Sequence, residues 1–159
     1  MDAFIDPLDY PLYVVTTAAK GEWSGCLVGF ASQCSIRPVR FTVWLSKANR
    51  TFRTAQAADH LAVHLLGPGQ HRLAELFGGE TGDHVDKFAS VAWTAKHAGI
   101  PVLDAAPAWF VGRIEQRTDA GDHVGFLLDP VEHGAHTRPA AGTFHLSDAS
   151  DISPGHPVD

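Results

Sequence analysis

Between Val39 and Ser46 apolar and polar side chains alternate without a break: Val39, Phe41, Val43 and Leu45 fall on one face, Arg40, Thr42, Trp44 and Ser46 on the other. A period of two over a whole segment predicts a half-buried antiparallel strand. PLYVVTTA (11–18), HLAVHLL (60–66), AWFVGRIEQR (108–117) and HVGFLLDPVEH (123–133) repeat this β-branched and aromatic character and predict further strands. CLVGFASQCSI (26–36) is an apolar run with small residues embedded, ended by Arg37-Pro38, and reads as one more. KGEWSG (20–25) and TDAGD (118–122) read as turns.

Helical spacing fills the gaps. Asn49 is placed to cap a helix running to about Asp59, with Phe52 and Ala55 on one face. GQHRLAELF sets Leu73, Leu76 and Phe77 at i, i+3 and i+4, and Gly78-Gly79 stops it. DHVDKFA (83–89) reads as a shorter helical turn. No repeat or linker divides the chain, so residues 1–159 are expected as a single domain, with the polar, proline-bearing segment 147–159 as a surface tail. Many short, turn-bounded strands predict a mainly β fold, a closed or nearly closed antiparallel barrel with a few peripheral helices.

Composition changes the picture in a few respects. With 159 residues, 45% of them apolar and 19% charged, the chain can build one real core. A net charge of −6 and a pI of about 5.9 argue against a broad basic face for nucleic acid. Cys26 and Cys34 form no CxxC pair and read as buried fillers in a reduced, cytoplasmic protein. The opening MDAFIDPLDY carries three aspartates and no cationic apolar signal, and no segment has the length of a membrane span. Ten histidines raise a metal question, yet HExxH and paired CxxC are absent, as are the phosphate loop and the GxSxG elbow.

Against the acidic background, LSKANRTFRTA (45–55) gathers Ser46, Lys47, Asn49, Arg50, Thr51 and Arg53 at the end of a strand. Hydroxyls, cations and a helix start in one place suit an anion; a solvated loop before a capped helix reads the same way. Gly29, Ala31 and Ser32 leave room for a planar ligand to approach the backbone, or for a barrel strand to curve. Gly121-Asp122-His123 is a turn that presents an imidazole either to a cavity or to solvent.

The succession CLVGFASQCSIRPVRFTVWLSKANRTFR resembles the core signature of the flavin reductase-like, FMN-binding split-barrel family. That signature is a small-residue strand, a Ser-x-Ser-x-Asp-Pro-Pro corner, an apolar strand and a polar loop ending Ser-Arg-Thr. Here the first element is Leu27-Val28-Gly29-Phe30-Ala31-Ser32-Gln33-Cys34-Ser35, the corner Ile36-Arg37-Pro38-Val39, and the loop Ser46-Lys47-Ala48-Asn49-Arg50-Thr51. LAVHLL resembles the family's strand after its first helix, and LAELFGGETGDHVDKF its middle segment, which ends here at Phe88. IPVLDAAPAWFVGRIEQRTDAGDHVGFLLDPVEHG resembles the half that carries Gly-Asp-His.

The resemblance implies a split β-barrel holding FMN non-covalently, FAD less so, with NAD(P)H as co-substrate. It assigns the flavin to Leu27–Gln33 and Ser35, to Ser46, Lys47, Asn49, Arg50 and Thr51, and to Phe88, Asp122 and His145, with His123 as the catalytic group on the nicotinamide side. It further implies a homodimer and a monooxygenase that takes up the reduced flavin. A flavin- or haem-binding protein without turnover, and an FMN-dependent oxidoreductase on another small substrate, are the alternatives. The chain departs from the pattern at Leu27, Phe30, Gln33 and Arg37, and in GTFHL (142–146), where the family's tyrosines are missing.

Overall fold

The computed structural model of the chain describes residues 1–79, 86–136 and 142–155. A short helix, α1 (Asp2–Ile5), precedes β1 (Tyr13–Ala19), β2 (Glu22–Val28), β3 (Ala31–Ile36) and β4 (Val39–Ser46). After α2 (Arg50–Gln56) come β5 (His60–Leu65), α3 (His71–Gly79), β6 (Trp93–Ala95), β7 (Pro101–Leu103) and the long pair β8 (Ala108–Asp119) and β9 (His123–Ala135). Seven strands make one antiparallel sheet in the order β2-β1-β5-β8-β9-β4-β3; β6 and β7 make a separate two-stranded one. No helix among the described residues is long and apolar enough to cross a membrane.

The sheet explains the word split. Strands β2 and β3 are consecutive in the chain yet lie at opposite edges of the sheet. The run at 26–36, read as one strand, is therefore two, and the chain crosses the gap at Gly29-Phe30. The Phe30 carbonyl accepts the Trp44 N–H at 2.9 Å, which ties this crossing to β4. Curvature comes from ladder irregularities at Gln33/Ser35 in β3, and at Val111/Gly112 and Ile114/Gln116 in β8.

The strand expected at 39–46 has those bounds, and Val43 and Leu45 on its apolar face are fully buried. The expected turn at 20–25 shrinks to Lys20-Gly21, both at positive φ, so that Ala19 pairs with Glu22 across a two-residue hairpin. Helix α2 ends at Gln56 rather than Asp59, where the Ala57 N–H closes on Thr54 and the chain leaves for β5. Gly78 and Gly79 belong to the last turn of α3 instead of lying beyond it. The turn expected at 83–89 falls partly on residues 83–85, outside the described ones; its remainder is a 3₁₀ turn, Lys87–Ser90, capped by the Asp86 carboxylate. Gly134-Ala135 continues β9 and places His133 within the strand. Cys34 is exposed, contrary to its reading as a buried filler, since β3 is an edge strand; Cys26 is buried, which pushes its thiol up.

Alternation on β1 serves two cores. Val15 joins Val28, Val43, Leu45, Leu61, Val124, Phe126 and Leu128 inside the curled sheet, closed at one side by Ala55 of α2. Val14 points the other way, into a second core with Leu66, Ala74, Phe77, Phe88 and Phe144 beneath α3. Ile152 packs on this second core and the Gly155 N–H reaches the Gly78 carbonyl, so the described part of the C-terminal segment lies along α3.

Candidate functional site

The end of β2, the crossing at Gly29-Phe30, the end of β4 and the start of β9 converge. Between them lies a cavity of about 190 Å³ lined by Cys26–Phe30, Trp44–Ser46, Asn49 and His123, and walled by Tyr10, Leu12 and Leu146. A second cavity of about 370 Å³ lies on the outer side of Phe30, against Trp44, Ala120, Asp122 and His123. Phe30, Trp44 and His123 border both.

Each of these side chains has a local reason for its place. Trp44 can lie flat on the sheet because its β9 partner is Gly125; a Cβ there would stand 2.7 Å from the indole. His123 begins β9 opposite Ser46, and its Nδ1–H donates to the Asp122 carboxylate at 2.7 Å. That fixes the tautomer and leaves Nε2 as the nitrogen available to a ligand. Its ring stands 5.0 Å from that of Phe30, which is half exposed and also touches Tyr10.

The basic corner lies beside the inner cavity. The Ser46 hydroxyl accepts the Ala48 N–H, and Asn49 sits at the N-cap position of α2 without a side-chain cap bond. Lys47 donates to Asp119 at 2.8 Å, and the contact holds the Asp119 carboxyl below the usual carboxylate range. Arg50 pairs with Glu22 at 3.8 Å. Thr51 is fully buried, and its hydroxyl is engaged with Ser24 at 2.9 Å. Helix α2 has only seven residues, so side chains rather than a helix dipole would meet an anion here.

Of the residues singled out from sequence, Leu27, Val28, Gly29, Phe30, Ser46, Asn49 and His123 line the inner cavity, and Asp122 the outer one. Ala31, Ser32 and Ser35 lie on the edge strand β3, and Gln33 lines a different groove. Phe88 is buried under α3 against Phe77 and Trp93. His145 neighbours the cavity-lining Leu146; its backbone pairs with Pro11 and its Nδ1–H donates to the Thr143 carbonyl. Sequence reasoning missed Tyr10, Leu12 and Leu146. They reach the site because the N-terminal segment is pinned to residues 144–146, by Leu12 N–H to Phe144 O and Leu146 N–H to Tyr10 O, pairings that no local pattern announces. Trp44 had a signal, as an aromatic on the polar face of an alternating strand.

A flavin fits this donor set. Lys47, Arg50 and the Ser46 hydroxyl suit its phosphate and Trp44 offers a flat wall, while the space that a Gly29 side chain would take holds the Tyr10 ring. The fold is that of a split-barrel protein, with a small cavity beside a cationic corner. The family model described as Flavin reductase like domain matches residues 6–148, and the chain belongs to that family. It is 32% identical over 122 residues to an FMN reductase (NADH), RutF 2, of Rhizobium rhizogenes, covering 74% of this chain and 68% of the relative. It is 30% identical over 114 residues to a stachydrine N-demethylase reductase subunit of Rhizobium meliloti, covering 69% and 48%. This chain thus spans about half the length of that second relative. The crystal structure of a flavin reductase domain protein from Arthrobacter sp. superposes with a TM-score of 0.83 at 18% identity, over 99% of this chain and 95% of that one.

Proposed function

We propose that the protein is an NAD(P)H-dependent flavin reductase that takes FMN in preference to FAD. The observation that carries the reading is the coincidence, at one cavity, of a small-residue backbone crossing, a cationic hydroxyl-bearing corner and an imidazole of defined tautomer. Kinship supports it, since a relative of 32% identity is named an FMN reductase (NADH). The flavin, when bound, supplies the hydride-accepting ring. The chain's own residues do the rest. Lys47, Arg50 and Ser46 orient the phosphate, Gly29 and Trp44 bracket the ring, and His123 holds a hydrogen-bonding Nε2 at the border of the two cavities, on the side open to a nicotinamide. Asp122 keeps that imidazole oriented. The N-demethylase reductase subunit among its relatives supports a monooxygenase as consumer of the reduced flavin. A cytoplasmic homodimer, built from residues 1–159 as one domain, completes the proposal.

Anaerobic mixing of the FMN-loaded protein with NADH or NADPH tests it. The flavin band should bleach. His123→Ala should bleach about 5- to 150-fold more slowly, the consequence of losing one hydrogen bond of about 1–3 kcal/mol, with FMN affinity unchanged. A parent protein that binds FMN but bleaches with neither nucleotide would rule out the reductase and leave a flavin binder.

A further inference from the structure

Resting on the flavin reading, we infer that two side chains of this chain occupy the flavin's own place in the free protein. Phe30 stands where the ring must go, and Asp119 where the phosphate must go. The inner cavity, at about 190 Å³, is smaller than the roughly 300–1,000 Å³ of small-molecule sites. It is bounded on its open side by Phe30, and the space of about 370 Å³ beyond that ring shares Phe30, Trp44 and His123 with it. Rotating Phe30 outward joins the two into one space of the required size. Little opposes the rotation, because Phe30 is 51% exposed and, among the described residues, its ring meets those of Tyr10, at 6.0 Å, and His123, at 5.0 Å.

The basic corner is filled in the same manner. The Lys47 ammonium already holds an anion, the Asp119 carboxylate at 2.8 Å. That carboxylate comes from the last residue of β8, where its Oδ1 also accepts the Gly121 N–H of the following turn, and both partners of the pair are substantially exposed. A phosphate arriving at Lys47 therefore displaces a carboxylate rather than water. Phe30 and Asp119 act as affinity- and specificity-determining residues. Phe30 lowers the apparent affinity for every flavin by the fraction of molecules in which the slot is covered. Asp119 lowers it only for flavins that carry a phosphate.

Titration of flavin fluorescence with FMN and with riboflavin, on the parent, Phe30→Ala and Asp119→Asn, separates the two roles without any turnover. Asn keeps an oxygen for the Gly121 N–H while losing the charge. Phe30→Ala should tighten both ligands about three- to tenfold. Asp119→Asn should tighten FMN about two- to fivefold and leave riboflavin within error. If the parent binds FMN and Phe30→Ala weakens it, the ring is a stacking wall and the cover is refuted. If Asp119→Asn moves both flavins equally, or weakens FMN, the stand-in carboxylate is refuted. Binding of neither flavin by all three proteins overturns the flavin reading itself, a result distinct from either of the others.

Discussion

Two concavities of this molecule invite opposite conclusions. The larger, about 740 Å³, opens at the mouth of the curled sheet and is walled by Tyr13, Val39, Phe41, Phe110, Trp109 and Pro130. The smaller one, at Gly29, Phe30, Trp44 and His123, has about a quarter of that volume. Size favours the groove. Its floor, however, is a set of edge-packed aromatics, Tyr13 on Phe41 and Phe41 on Phe110, continuous with the inner core. Among the described residues no lysine or arginine lines it. The smaller cavity adjoins Lys47, Arg50 and an oriented imidazole, groups that cost conformational freedom and desolvation to hold together. Convergent polar chemistry, rather than volume, marks a site for a phosphorylated ligand.

Strand β5 supplies Val63 and Leu65 to the groove and turns His64 to the opposite side. There His64 is fully buried, donating from Nδ1 to the Val14 carbonyl at 2.8 Å and accepting the Leu103 N–H on Nε2 at 3.0 Å. Burial pushes its pKa from 6.5 down to about 4. The folded protein therefore holds His64 neutral while the unfolded chain protonates it below 6.5. Stability is complete above that pH and falls as pH drops from 6.5 to 4, by about 3 kcal/mol. Denaturant midpoints across that window should show this slope, and His64→Gln should flatten it. An unchanged slope would mean that carboxylates alone set the acid limit.

Next in size is Gly29→Val. A Cβ at Gly29 would meet the Tyr10 ring at 2.5 Å and Leu12 at 3.2 Å. The variant therefore cannot keep the N-terminal wall of the slot in place. It should lose about 1–3 kcal/mol of stability, and FMN binding should weaken about 5- to 150-fold while the circular dichroism spectrum is retained. Normal fluorescence quenching by this variant would remove Gly29 from the ring slot.

The last pair contrasts the two cavities directly. Arg50→Ala should weaken FMN about tenfold or more and riboflavin much less, through loss of a charge-assisted contact. Tyr13→Phe removes a hydroxyl that makes no hydrogen bond among the described residues and should change FMN affinity by less than about twofold. Titrations that reverse this ranking would move the flavin to the groove.

Much of the fold was readable because its signals are local. The alternation at Val39–Ser46 needs only its own residues to specify a strand with one buried face, and Leu73, Leu76 and Phe77 likewise specify α3. Strands β6 and β7 were not readable, because three residues each carry no period. The division of residues 26–36 was hidden for another reason. An apolar run reads the same whether it crosses a gap or spans a sheet, and only pairing with β1 on one side and β4 on the other shows the break.

The site divides along the same line. Its candidate groups were in the sequence: the small residues Gly29, Ala31 and Ser32, the cations of 47–53 and the imidazole at 123 suit a phosphorylated planar ligand, and the family resemblance, rather than residue type alone, favoured that reading over a solvated loop and turn. Tertiary structure alone decided which of them meet. It set Ala31, Ser32 and Ser35 on an edge strand, buried Thr51 against Ser24, and carried Phe88 to the second core. It also brought Tyr10 and Leu146 to the wall of the cavity and placed Asp119 on Lys47 across 72 positions of chain. Residue type limits what a side chain can do within its own few neighbours. Which distant group neutralises a charge or covers a cavity depends on strand register and sheet curvature, and these are settled by the packing of the whole core.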